Sequence, residues 1–112
     1  MSRAMAGGPL RMENDVLERI AAAERPLLVA FGATWCPPCR TFDPILDELA
    51  GEHPDALEVE HVDVDAVPDL VRRWDVVSAP TVIVFDQGEP VLRLVGARPK
   101  AALLSDLADY LG

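Results

Sequence analysis

The chain has 112 residues, half of them apolar, which sets the scale at one small domain with a single modest core. No apolar run nears the ~20 residues needed to cross a bilayer, and a formal charge of -9 argues against nucleic acid or an anionic membrane surface as a partner. Two cysteines in one local motif are not the framework of a disulfide-stapled secreted domain.

Met1 to Pro9 are small, polar and glycine-bearing, with Arg3 but no apolar core of a secretory signal. A disordered segment over 1–9, a domain over 10–112, an edge strand beginning near Leu10 and a cytoplasmic location are the expectations. Asn14 and Asp15 suit a helix start, and Val16, Leu17, Ile20 and Ala21 recur at helical spacing until Pro26, which predicts an end near Arg25. Leu27-Leu28-Val29-Ala30-Phe31 is apolar without alternation, as in a strand buried on both faces. Gly32-Ala33-Thr34 leads from it into Trp35-Cys36-Pro37-Pro38-Cys39-Arg40.

Phe42, Ile45, Leu46 and Leu49 mark one face of a helix beginning near Pro37, where a missing N–H costs nothing. Pro44 predicts a kink in it and Gly51 its C-terminal cap. Leu57 to Val64 reads as an alternating strand whose Glu58, Glu60 and His61 need solvent or partners. Pro68 opens a short helix with Val67, Leu70, Val71 and Trp74. After Val76-Val77-Ser78-Ala79-Pro80 comes a buried strand, Thr81 to Phe85. A turn at Asp86-Gln87-Gly88-Glu89 and a return strand from Val91 to Val95 follow. Pro99 opens a last helix with Leu103, Leu104, Leu107 and Leu111 on one face. This order demands a βαβ crossover and a late hairpin. The fold class is therefore α/β, with a mixed central sheet of four to five strands and helices on both faces.

A strand-to-helix junction puts Cys36 among unpaired N–H groups at the positive end of a helix dipole, which favours thiolate over thiol. Cys36 is thus the candidate nucleophile. Cys39, three residues on along the same face, can close a disulfide and resolve a mixed disulfide formed at Cys36. The two prolines between them stiffen the turn and remove two donors. A zinc site would need about four ligands, and beyond the cysteines only His53 and His61 are available, at a spacing that fits no common finger. No metal and no bound cofactor are expected. Trp35 and Trp74 read as core or groove residues.

From about Leu10 to Leu111 the sequence resembles the thioredoxin family. The resemblance rests on Trp35-Cys36-Pro37-Pro38-Cys39-Arg40, Pro44, Val62-Asp63-Val64-Asp65, Ala79-Pro80-Thr81, Phe85 with Gly88-Glu89, and Val95-Gly96-Ala97, in that order and spacing. It implies the thioredoxin fold, a cis peptide before Pro80, and an apolar groove around the sulfurs made by Trp35, Pro38, Val64, Ala79, Gly96 and Ala97. It further implies that the backbone of Ala79 pairs with an extended substrate segment. The chain departs from the family at four places. Pro37 stands where glycine is usual, and Ala79 where a large β-branched residue is usual. Ala30 stands where members carry a buried aspartate that exchanges a proton with the resolving cysteine. His61 takes the place of the family's lysine on the adjacent strand. Either His61, or a water it holds, transfers protons near Cys39, or it is a partly exposed strand histidine without a catalytic part.

The function this implies is a thiol–disulfide oxidoreductase that reduces protein disulfides through Cys36 and Cys39. It is expected to act as a monomer with a thioredoxin reductase or similar electron donor. The alternatives are a specialised relative with a restricted partner or an oxidising role, a glutathione-dependent glutaredoxin, and a non-catalytic binding module that uses the same groove.

Overall fold

A computed structural model describes residues 13–111. The expected disordered segment over 1–9 and the edge strand near Leu10 lie outside the described residues. Helix α1 spans Glu13–Ala22 and strand β1 Leu27–Gly32. Helix α2 covers Pro37–Glu52 and strand β2 Glu58–Asp63. A 3-10 turn over Val64–Ala66 leads to α3, Pro68–Arg73. Strands β3, Thr81–Asp86, and β4, Glu89–Val95, form the hairpin before α4, Lys100–Asp106, and a last 3-10 turn.

Among the described residues there is one four-stranded sheet in the order β2-β1-β3-β4. β1 runs parallel to β2 and antiparallel to β3, and β3 runs antiparallel to β4. The sheet is mixed as the element order requires. Alternation along β1 divides the core between its two faces. Leu27, Val29 and Phe31 join Val16 and Ile20 of α1 and Leu70 of α3. Leu28 and Ala30 join Phe42, Leu46 and Leu49 of α2 and Leu103 of α4. Helices therefore cover both faces. Trp74 belongs to the first core, edge-on to Phe31 at 6.2 Å and to Phe85 at 5.0 Å between ring centroids.

Several boundaries differ from the sequence reading. α1 stops at Ala22, before Arg25, and Ala21 is exposed, so Val16 and Ile20, with Leu17 packed beside them, anchor the helix. Gly51 lies inside α2, and His53 caps that helix through its N–H to the Ala50 carbonyl. α2 runs through Pro44, which is exposed, as one element. β4 begins at Glu89 and takes in Pro90, with a register shift at Val84/Phe85. Leu104 is exposed while Leu103 and Leu107 are fully buried, because a step of one residue turns a side chain ~100° around a helix. The acidic residues of β2 do find partners: Arg19 binds both Glu58 and Glu60, and Arg25 binds Glu58 at 2.8 Å. At the hairpin tip Gln87 and Gly88 have φ of 57° and 81°. Such a turn matches strand twist, and glycine takes its second position without strain.

Candidate active site

Cys36 and Cys39 form a disulfide across the first turn of α2, with Cα atoms 5.4 Å apart. Both are almost fully buried, at 2% and 3% exposure, whereas Pro37 and Pro38 between them are exposed. Cys36 is the N-cap of α2 and is held by its own N–H to the Ala33 carbonyl at 3.2 Å. The first two helical residues are prolines without N–H groups. The Cys39 N–H is therefore the first donor of the helix, and it is shared between the Cys36 carbonyl at 3.1 Å and the Cys36 Sγ at 3.3 Å. One donor aimed at the sulfur, at the positive end of a helix, stabilises charge on Cys36 once the disulfide is opened.

Pro80 follows a cis peptide bond from Ala79, and its carbonyl accepts from the Gly96 N–H at 2.9 Å. A groove of about 320 Å³ lies against the motif, and its lining includes Trp35, Val64, Asp65, Val71, Val77 and Ala79. Of the expected groove residues this brings together Trp35, Val64 and Ala79. Pro38, Gly96 and Ala97 lie outside its lining, with Pro38 and Ala97 exposed and Gly96 bound to Pro80. Asp65, Val71 and Val77 stand in the sequence reading as motif, helix and loop residues, and the structure adds them to the groove. Trp35 is 62% exposed yet fixed, because its Nε1–H donates to Asp65 Oδ2 at 2.9 Å. Asp65 is in turn held by its N–H to Asp63 Oδ1 at 2.9 Å. An aspartate two residues after Asp63 in a turn is the signal that could have found it.

His61 sits on β2 in register with the buried Ala30 of β1. Its Nε2 lies 2.7 Å from Asp47 Oδ1 and its Nδ1 3.8 Å from Asp43 Oδ1, both on α2. Asp43 was also missed. Its place one helical turn after Cys39 is the sequence signal for it. Burial is the main reason its carboxyl is raised above the ordinary 3.8; His61 opposes the shift and Asp47 adds to it. An acid raised in the fold binds its proton more tightly when native. Asp43 therefore favours folding at low pH, and that contribution is lost as pH climbs from about 3.8 through its raised midpoint. Asp43→Asn is expected to be more stable than the parent at pH 7 and to flatten the pH dependence of stability in this window. Urea denaturation across pH 3 to 7 measures both.

Among the described residues no group of three or more His, Cys, Asp or Glu side chains is arranged to hold a metal ion, and no helix is long and apolar enough to cross a membrane. The family model described as Thioredoxin matches residues 11–109. The chain is 48% identical over 92 residues to a thioredoxin of Mycobacterium tuberculosis, covering 82% of this chain and 79% of that protein. It is 50% identical over 94 residues to a thioredoxin of Mycolicibacterium smegmatis, covering 82% and 84%. It is 49% identical over 92 residues to a bifunctional thioredoxin reductase/thioredoxin of Mycobacterium leprae, where 82% of this chain spans only 20% of that protein. The crystal structure of oxidised mitochondrial thioredoxin 3 from Saccharomyces cerevisiae superposes with a TM-score of 0.79 at 29% identity, over 90% of this chain and 92% of that one.

Proposed function

This chain belongs to the thioredoxin family and is a protein-disulfide reductase working by dithiol exchange; from that premise we propose that Cys36 is its nucleophile and Cys39 its resolving thiol. The carrying observation is the N-terminal geometry of α2, where the Cys39 N–H, first donor of the helix, is shared between the Cys36 sulfur at 3.3 Å and the Cys36 carbonyl at 3.1 Å. In the reducing direction the Cys36 thiolate attacks a substrate disulfide and one substrate sulfur leaves as thiolate. Cys39 then attacks Cys36, closing the disulfide and releasing the second substrate sulfur. The groove beside Trp35, Val64 and Ala79 receives an extended protein segment, next to the cis bond that joins Ala79 to Pro80; the family likeness adds Pro38, Gly96 and Ala97 to that surface.

The electron donor we assign is a thioredoxin reductase. Support comes from the M. leprae relative, whose name joins that reductase to a thioredoxin. A monomer in the cytoplasm fits a redox pair that must be reduced again after each turnover. Dithiothreitol-driven reduction of insulin disulfides tests the whole reading. The protein should accelerate turbidity well above dithiothreitol alone, and no acceleration would point to a groove used for binding without turnover.

Direction is tested separately. Equilibration with glutathione redox buffers should give a potential of about -270 mV, the range of reductases. A value between about -180 and -120 mV would make the protein an oxidant.

A further inference from the structure

Resolution requires that the Cys39 thiol lose its proton as its sulfur attacks Cys36. Cys39 is 3% exposed, so bulk water is poorly placed to take that proton. The β1 residue beside it, Gly32, has no side chain that could take the proton, and Ala30 two residues earlier is apolar. Gly32 nevertheless marks the geometry. A Cβ built there would lie 3.4 Å from Cys39 Sγ and 4.0 Å from Asp43 Oδ2, so the sulfur and the carboxylate border one point beside the strand. Cys39 and Asp43 are one turn apart on α2 and project from the same face. His61 approaches from β2. Its Nδ1 is buried without a hydrogen-bond partner and faces Asp43, while its Nε2 is anchored on Asp47.

We propose that Asp43 accepts the proton of the Cys39 thiol during resolution, and that His61, anchored by Asp47, is a positioning residue for the Asp43 carboxylate. This rests on the dithiol-exchange reading above. In the step, the S–H bond of Cys39 breaks and its proton passes to Asp43 Oδ2, directly or across one water. The Cys39–Cys36 bond forms from the freed electron pair. The bond between Cys36 and the substrate sulfur breaks, and that sulfur leaves with its electron pair as a thiolate. The cysteine pair is oxidised and the substrate reduced, and Asp43 returns its proton to solvent or to the departing thiolate.

The other charged groups around Asp43 are accounted for. Asp47 holds His61. Asp63, in register with Gly32, is engaged with the Asp65 N–H. Arg40 reaches the Thr34 carbonyl. Lys100 of α4 binds Glu48 and Glu52 farther along α2. Partial burial, which raises Asp43 above the ordinary carboxylate range, also makes it the stronger base and brings it nearer a thiol.

Reaction of the reduced protein with 5,5′-dithiobis(2-nitrobenzoate) in a stopped-flow instrument tests this. Attack by Cys36 releases the first nitrothiobenzoate in a concentration-dependent phase. Attack by Cys39 releases the second in a concentration-independent one. Asp43→Asn should slow the second phase by about tenfold or more at pH 7 and remove the carboxylate inflection from its pH profile. Asp43→Glu should restore the inflection. His61→Gln should move it to higher pH, since His61 holds the Asp43 midpoint down. An Asp43→Asn second phase with the parent's rate and profile overturns the proposal. Cys39→Ser releasing both equivalents as the parent does would instead overturn dithiol exchange itself, whatever Asp43 does. Carboxyl-carbon NMR of the unmodified protein is an independent check. The Asp43 midpoint should differ between the oxidised and dithiol forms, and identical midpoints would also overturn the proposal.

Discussion

Cys36→Ser is expected to reduce insulin disulfides no faster than dithiothreitol alone. A serine hydroxyl cannot form the mixed disulfide, and Cys39, the only other cysteine, lies within α2 and not at its N-cap, where the helix end favours a thiolate. Cys39→Ser has a different signature. Attack by Cys36 proceeds, but the mixed disulfide cannot be resolved from within, so a covalent adduct of protein and substrate accumulates and disappears on adding excess dithiothreitol. Non-reducing electrophoresis reads the adduct. The two variants together separate nucleophile from resolver. An adduct formed by Cys36→Ser and absent from Cys39→Ser would exchange their roles.

Phe31→Ala is expected to carry the largest stability loss. Phe31 is fully buried in β1, which pairs on both sides, and its ring meets Trp74 edge-on at 6.2 Å. Removing a buried phenyl ring costs about 3–5 kcal/mol through lost transfer energy and the cavity left behind. The edge-to-face contact with Trp74 adds about 0.5–1.5 kcal/mol to what is at stake. Against a typical total of about 5–15 kcal/mol, this brings a small domain close to unfolding at room temperature. Urea denaturation should show a large fall in midpoint with an unchanged slope. Leu104→Ala is the matched contrast. Its side chain is 37% exposed, and the expected change stays within about 0.5 kcal/mol. Similar losses for the two variants would show that burial is not what holds β1 in place.

How far the sequence speaks is clearest from particular residues. The runs at Leu27 and Thr81 are apolar without alternation and become the two central strands, since a strand covered on both faces needs no polar side. The turn at Gln87-Gly88 was legible because few residues take two successive positive φ angles. Helix ends were less so. α1 stops three residues before Arg25, because Arg25 lies beside β2 and binds Glu58, a tertiary partner no local pattern shows. At the site, Cys36 and Cys39 declared themselves by spacing. Pro80 declared itself by family likeness, and its cis bond is present. Asp43 did not declare itself. An aspartate in an amphipathic helix reads as a solvated residue, and only its approach to Gly32 and His61 from two other strands gives it meaning. Trp35 was visible as an aromatic, but the hydrogen bond that fixes it reaches across 30 residues to Asp65.

The outer strand of the sheet carries a consequence for how this molecule lives among other proteins. Among the described residues β4 pairs with β3 alone, which makes it an edge of the sheet, as β2 is on the other side. It begins with Glu89 and Pro90, breaks register once, and carries Arg93, whose guanidinium is engaged by the Asp75 and Trp74 carbonyls. A charge, a missing donor and an irregularity make a poor template for strand addition. A disulfide reductase meets many partly unfolded chains, and each of these could polymerise along a welcoming border. At β4, then, the sheet border itself discourages the addition of a foreign strand.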